Sequence, residues 1–202
     1  MSFFENTRKP TGLGGKLMVF MMNLGHSALR SWGLQYLPLA PNARVLDCGC
    51  GGGATIRALL RKCPQGQVMG LDYADVSVEK SRKVNRKAIA AGRCRVWQGS
   101  VTEIAAADAS FDAVTAFETV YFWPDLPQCF REVHRVLKPG GTFFICNESN
   151  GENEKDGKWT EIISGMTIYT AAQLKTLLTQ AGFREVQTHA NQKGWLCAAA
   201  KK

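Results

Sequence analysis

The chain predicts an α/β fold: a mostly parallel sheet with helices on both faces. Three observations carry that expectation. From residue 43 onward, short β-branched runs alternate with amphipathic stretches, the pattern of strands joined by crossover helices. A glycine-rich turn follows the first strand directly, where open sheets of this class seat ligands. The last two strand-like runs, REVQTHA and WLCAAAK, are joined only by NQKG. That connection is too short for a crossover, so the closing pair is antiparallel and the sheet is mixed.

The first 40 residues carry no strand signal and predict one or two helices, divided near Gly25. RVLDCG is the first strand. A helix runs from about Ala54 to Lys62 and stops at Cys63-Pro64, because the residue before a proline disfavours helix. QVMGLD is the second strand, and a basic segment from about Ala74 to Ala91 is its crossover helix. There Val84, Ala88, Ile89 and Ala91 form a narrow apolar stripe among Lys80, Arg82, Lys83, Arg86 and Lys87, as on a solvated surface helix. Arg93 to Gln98 gives the third strand and FDAVTAFE the fourth. From Pro124 to Leu137, Leu126, Phe130, Val133 and Leu137 recur at helical spacing. LKPGG then breaks that helix and leads into TFFICNE, the fifth strand. NGENEKDGK, at 150–158, reads as an exposed polar loop. TAAQLKTLLTQAGF reads as a helix with Thr170 as its cap and Gly182 just past its end.

At 202 residues, with 45% hydrophobic and 21% charged residues, the chain suits one well-filled domain. The expectation is a single domain over 1–202, with residues 1–40 as a helical cap and 41–202 as a ligand-binding core. The longest apolar run, LMVFMMNLG at 17–25, is far short of the roughly 18 residues that span a bilayer. Glu5, Asn23 and His26 do not suit a secretory leader. The reading is cytoplasmic. Seven cysteines without paired spacing read as reduced, buried thiols. The net charge of +8 raises nucleic acid or an anionic ligand as a partner.

VLDCGCGGGATI, at 45–56, admits three occupants: a metal on Cys48 and Cys50, a phosphate on the glycines, or a cationic ligand beside Asp47. The two cysteines have no partner pair elsewhere to complete a zinc site, so no metal is expected. Gly49-x-Gly51-x-x-Ala54, followed by Asp72, formally satisfies a dinucleotide fingerprint. Asp47 discriminates. A carboxylate two residues before the first glycine repels a pyrophosphate at the helix terminus, but favours a ligand with an ammonium or sulfonium through charge-assisted bonds.

VLDCGCGGGATI, GLDYAD, FDAVTAFETVYFWPD and HRVLKPGGTF, in that order and spacing over about 43–200, resemble the class I S-adenosylmethionine-dependent methyltransferases. The resemblance implies a Rossmann-like sheet ordered 3-2-1-4-5-7-6 with strand seven reversed. It implies that Asp47, Cys48, Gly49 and Gly51 lie along the methionine and ribose part of the cofactor. Asp72 would take the ribose hydroxyls, Tyr73 would lie beside the adenine, and Phe117 would offer its carbonyl to the amino group. Where the family often has an acidic residue after strand three this chain has Ser100, so backbone at Ser100 and Val101 would serve. S-adenosylhomocysteine would be the product.

Methyl transfer needs no nucleophilic side chain; it needs alignment and, for some acceptors, a base. Candidates are Glu118 and Glu148, near the carboxyl ends of strands four and five, and His26 if the N-terminal helices cover the cleft. His134 and His189 read as packing and terminal-strand residues. Tyr121, Phe122 and Trp123, with Met18, Phe20, Met21 and Met22, could wall an apolar pocket for a small acceptor. The region after strand four lacks the motifs of nucleic-acid base methylation, so a small organic acceptor is expected, on a monomer or homodimer. The alternatives are an NAD-binding oxidoreductase and a non-catalytic or RNA-binding module of the same fold.

Overall fold

The computed structural model describes residues 10–153 and 156–202. Seven strands form one sheet: β1 (Arg44–Cys48), β2 (Gln67–Asp72), β3 (Cys94–Gln98), β4 (Phe111–Phe117), β5 (Leu137–Asn147), β6 (Arg184–Ala190) and β7 (Leu196–Lys201), in the order β3-β2-β1-β4-β5-β7-β6. Strands β1 to β5 pair in parallel, and β7 runs antiparallel between β5 and β6. The order reverses between β1 and β4, which opens a crevice at the carboxyl ends of those strands.

Helices α1 (Gly12–Gly25) and α2 (Ser27–Gly33) precede the sheet and divide at Gly25, as expected. They are followed along the chain by α3 (Ala54–Lys62), α4 (Asp75–Val84), α5 (Arg86–Ala90), α6 (Leu126–Val136), α7 (Asp156–Ile162) and α8 (Ala171–Gln180). Strand alternation sends successive side chains to opposite faces. Leu46, Val114, Phe143 and Ile145 therefore meet Phe130 and Val133 of α6 and Leu174 and Leu178 of α8. Val45, Ala113, Phe144 and Cys146 face the other way, onto Leu29 of α2, Ile56 and Leu59 of α3, and Val78 of α4. Thr170 caps α8, and Gln173 completes a reciprocal capping box.

Three expectations are corrected. The basic crossover is two helices, because the buried Asn85 turns its amide to Gly53 O and Ser81 O, each at 3.0 Å. LKPGG is a bulge within β5 rather than a turn before it: β4 pairs Phe111 with Leu137 and Ala113 with Thr142, and Gly140 takes a φ of +75°. The stretch read as a loop over 150–158 gives way to α7 at Asp156, whose Oδ2 accepts from Asn150 N and Gly151 N at 3.2 and 2.9 Å.

Several of the basic side chains are internal staples. Arg93 donates to Gly66 O, Leu60 O and Cys63 O, and Arg82 donates twice to Val96 O. All seven cysteines are buried and unpaired. Among the described residues, no helix is long and apolar enough to cross a membrane.

Candidate functional site

A cavity of about 400 Å³ opens at the strand-order reversal, within the size range of small-molecule sites. Its floor at one end is the turn between β1 and α3. Gly49 N and Cys50 N both donate to Leu71 O, at 2.7 and 3.0 Å, which pins the turn against the tip of β2. Gly51 N donates to Asp72 Oδ2 at 2.8 Å, and Ala74 N to Oδ1 at 2.9 Å. The Asp72 carboxylate is thus held at the cavity wall by backbone. Burial raises its pKa, while those two bonds act in the opposite sense. Tyr73, Ser100 and Val101 complete this end.

Asp47 lies just behind that floor, 1% exposed. Thr115 Oγ1 donates to its Oδ1 at 2.7 Å, and Oδ2 has no partner. Burial pushes its pKa up to about 7. A buried acceptor atom left without a donor is costly, and a positive charge placed over the turn would favour its ionised form.

The opposite end is walled by Leu29, Phe117, Phe122, Trp123 and Pro124, with His26 and Glu118 as its ionisable groups; Arg30 also lines the cavity, near enough to Asp47 for the two charges to interact. Glu118 follows β4 in the left-handed region, at φ +60°, a conformation that a non-glycine residue seldom adopts and that recurs at functional sites. Its Oε1 accepts from Glu148 N and from the Tyr121 hydroxyl at 3.2 Å. That hydroxyl accepts in turn from Ser149 N at 2.9 Å. Burial pushes the Glu118 carboxyl up to about 8, against the lowering effect of the Glu148 N–H and Tyr121 hydrogen bonds and with a smaller push from the Glu148 charge. Burial also lowers the His26 pKa, Glu148 opposing.

The geometry brings Gly49, Gly51, Asp72, Tyr73, Ser100, Val101, Phe117, Glu118 and His26 around one space. Cys48 is a correction. It is fully buried and points into the core beneath α6, because strand alternation turns it away from the cavity; Cys50 lines the wall instead. Of the expected apolar wall, Phe122 and Trp123 line the cavity and Tyr121 supports Glu118. Met18 is buried and Met21 exposed, and neither lines it; the side chains of Phe20 and Met22 lie outside the described residues. His134 packs edge-on against Phe183, and His189 stacks on Tyr36. Sequence reasoning missed Arg30. Its signal was the spacing in HSALR, which puts His26 and Arg30 four apart on one helical face.

A family profile described as "Methyltransferase domain" matches residues 46–145. The cycloartenol-C-24-methyltransferase of Arabidopsis thaliana is 31% identical over 159 residues, covering 74% of this chain and 47% of that protein. The chain belongs to the class I S-adenosylmethionine-dependent methyltransferase family. Solved members share the fold. A SAM-dependent methyltransferase from Aquifex aeolicus superposes with a TM-score of 0.76 at 17% identity, over 92% of this chain and 97% of that one. The geranyl diphosphate C-methyltransferase of Streptomyces coelicolor A3(2), in complex with S-adenosyl-L-homocysteine, gives 0.74 at 15% identity, over 87% and 75%. The chain spans about a third to a half of the length of the curated sterol methyltransferases it matches, 31%, 29% and 47% for three of them.

The residues present in this methyltransferase chain suit the family's cofactor. A Cβ built on Gly51 would meet nothing within 4 Å, which leaves open space over the turn. The unpartnered Asp47 Oδ2 suits an ammonium, and the Arg30 guanidinium, close enough to Asp47 to feel its charge, suits a carboxylate. The Asp72 carboxylate suits a pair of hydroxyls.

Proposed function

We propose that this chain uses S-adenosylmethionine to methylate a small organic acceptor. The observation that carries the reading is the division of one cavity into two unlike ends. Backbone amides and the Asp72 carboxylate lie at one end, with Asp47 buried behind them, and an aromatic wall with Glu118 and His26 lies at the other. The bound cofactor supplies an electrophilic methyl group on a sulfonium, open to in-line displacement.

What the chain contributes is alignment and dryness. Asp47, Gly49, Gly51 and Arg30 would fix the amino-acid part, Asp72 and Tyr73 the ribose and adenine, and backbone at Ser100 and Val101 the ring edge. Holding both reactants in register lowers the barrier chiefly through entropy lost in advance, and the walls of Phe122 and Trp123 keep water away. A carboxyl with a pKa of about 8 is matched to accepting a proton near neutral pH. Glu118 would take it from an acceptor hydroxyl, amine or thiol, with His26 beside it. In this reading α1 and α2 form a cap over the acceptor end of a single domain. The protein works in the cytoplasm as a monomer or homodimer and does not act on nucleic acid.

Titration calorimetry with S-adenosylhomocysteine and with NAD tests the cofactor; binding of NAD alone overturns the reading. A labelled-methyl screen across phenols, thiols, amines and quinone-like rings tests the acceptor. Asp72→Ala is expected to weaken S-adenosylhomocysteine by about 1–3 kcal/mol, the cost of leaving hydroxyls unpartnered, and unchanged affinity removes Asp72 from the site. Arg30→Ala is expected to cost about 1–2 kcal/mol of the same affinity, roughly tenfold, through loss of a charge-assisted pair. A loss that persists with a decarboxylated analogue shows that Arg30 acts elsewhere.

A further inference from the structure

The acceptor end holds a group of side chains that methyl transfer by itself does not require. His26 arrives from the start of α2, Glu118 from the turn after β4 and Glu148 from the end of β5. His26 Nε2 lies 3.8 Å from Glu118 Oε2 and 3.7 Å from Glu148 Oε2, and the three donor atoms all lie within 4.8 Å of one another. These separations exceed hydrogen-bond length, so the imidazole and the two facing carboxylate oxygens share one space without direct hydrogen bonds between them.

We propose that His26, Glu118 and Glu148 hold one divalent first-row transition-metal ion at the acceptor end of the cavity. Donors each about 2.0–2.2 Å from such an ion sit roughly 3–4 Å apart, so the observed spacing closes with small side-chain movements. Glu118 is already oriented for this. Its Oε1 is occupied by Glu148 N and the Tyr121 hydroxyl, and Tyr121 is itself anchored by Ser149 N, which leaves Oε2 to face His26. Supporting bonds of this kind fix the ligands of metal sites. One imidazole nitrogen with two carboxylate oxygens favours manganese, iron, cobalt or zinc over magnesium or calcium, which prefer all-oxygen shells.

Three protein ligands leave coordination positions open, and here His26 and Glu118 both line the cavity. The ligand class that would fill those positions is an acceptor bearing oxygen, as a hydroxyl or carbonyl. This last step rests on the reading of that end as the acceptor's, with Glu118 serving there as a ligand to the ion in place of its role as base.

The test is titration of the chelator-treated full chain with MnCl2, following free Mn²⁺ by its electron paramagnetic resonance signal. One Mn²⁺ per chain is expected, weakened at least tenfold in Glu148→Gln and in His26→Gln. Glu148 is more than half exposed, so its glutamine variant leaves the fold undisturbed. S-adenosylhomocysteine affinity, measured on the same samples, is expected to stay within twofold in Glu148→Gln. Wild-type protein that takes up no stoichiometric Mn²⁺, or variants that bind it as tightly, overturn the metal site while leaving the cofactor reading intact. Failure of the wild type to bind S-adenosylhomocysteine overturns that reading whatever the manganese result.

Discussion

A Gly49→Ala variant is expected to lose about 2–5 kcal/mol of stability and most of its affinity for S-adenosylhomocysteine. Two costs add. Gly49 has a φ of +73°, and an L side chain in that region costs roughly 1–2 kcal/mol. The new Cβ would also run into the Thr119 side chain, 2.7 Å from its Cβ, and forcing an extra methyl into a packed site costs about 1–3 kcal/mol. Neither partner yields easily. Gly49 N is bonded to Leu71 O, and Thr119 Oγ1 accepts from Trp123 Nε1 at 3.0 Å, so displacing Thr119 also moves the aromatic wall. Urea unfolding measures the first effect and calorimetry the second. Gly51→Ala is the informative contrast, because its Cβ meets no protein atom. It is expected to lose affinity while keeping all but about 1–2 kcal/mol of stability. Wild-type behaviour from Gly49→Ala would show that the turn is looser than its hydrogen bonds imply.

The second large effect is a pH dependence centred on Asp47. Its carboxyl has an ordinary pKa of 3.8 and in the folded chain is pushed up to about 7, chiefly by burial. Between those values the folded state binds more protons than the unfolded state, so stability falls as pH rises through the window. The displacement corresponds to roughly 4 kcal/mol. Glu118, pushed up to about 8, acts in the same direction and extends the decline. The ligand-free protein is therefore expected to melt higher at pH 5 than at pH 8, and Asp47→Asn to flatten the profile between 4 and 7. A ligand ammonium beside Oδ2 restores the charged form, so S-adenosylhomocysteine affinity should rise with pH up to about 7. Below that pH, binding should release a proton, measured as a dependence of the calorimetric heat on the ionisation enthalpy of the buffer. Equal proton release from wild type and Asp47→Asn would remove Asp47 from the interaction.

The manganese titration and the Asp47 profile probe opposite ends of one cavity. Both ends use carboxyls that burial makes reluctant to ionise, and both await a positive partner. Perturbed carboxyls gathered in a cleft are a recognised mark of functional sites. Here each also has a geometric sign of its own: an acceptor atom without a donor at Asp47, and a left-handed backbone at Glu118.

The strands, their order along the chain and the glycine turn were legible in the residues, because they rest on local periodicity and turn chemistry. So was Asp47 as the discriminating acid, since its place before the first glycine is a matter of chain distance. Thr170 was legible as the cap of α8, and the structure adds Gln173 as its reciprocal partner. The break at Asn85 was hidden, because it depends on a carbonyl of Gly53 some thirty residues earlier in the chain. Cys48 was misplaced for a related reason: adjacency to Asp47 in sequence says nothing about which face of the sheet a neighbour takes until the register is set. Arg30 and the convergence of His26, Glu118 and Glu148 needed three elements to fold onto one crevice. Periodicity and turn chemistry decide where the backbone must bend and what each strand must bury. Only the assembled sheet decides which distant charges share a low-dielectric space, because burial and proximity, which set their protonation and their ligands, are properties of the packed chain.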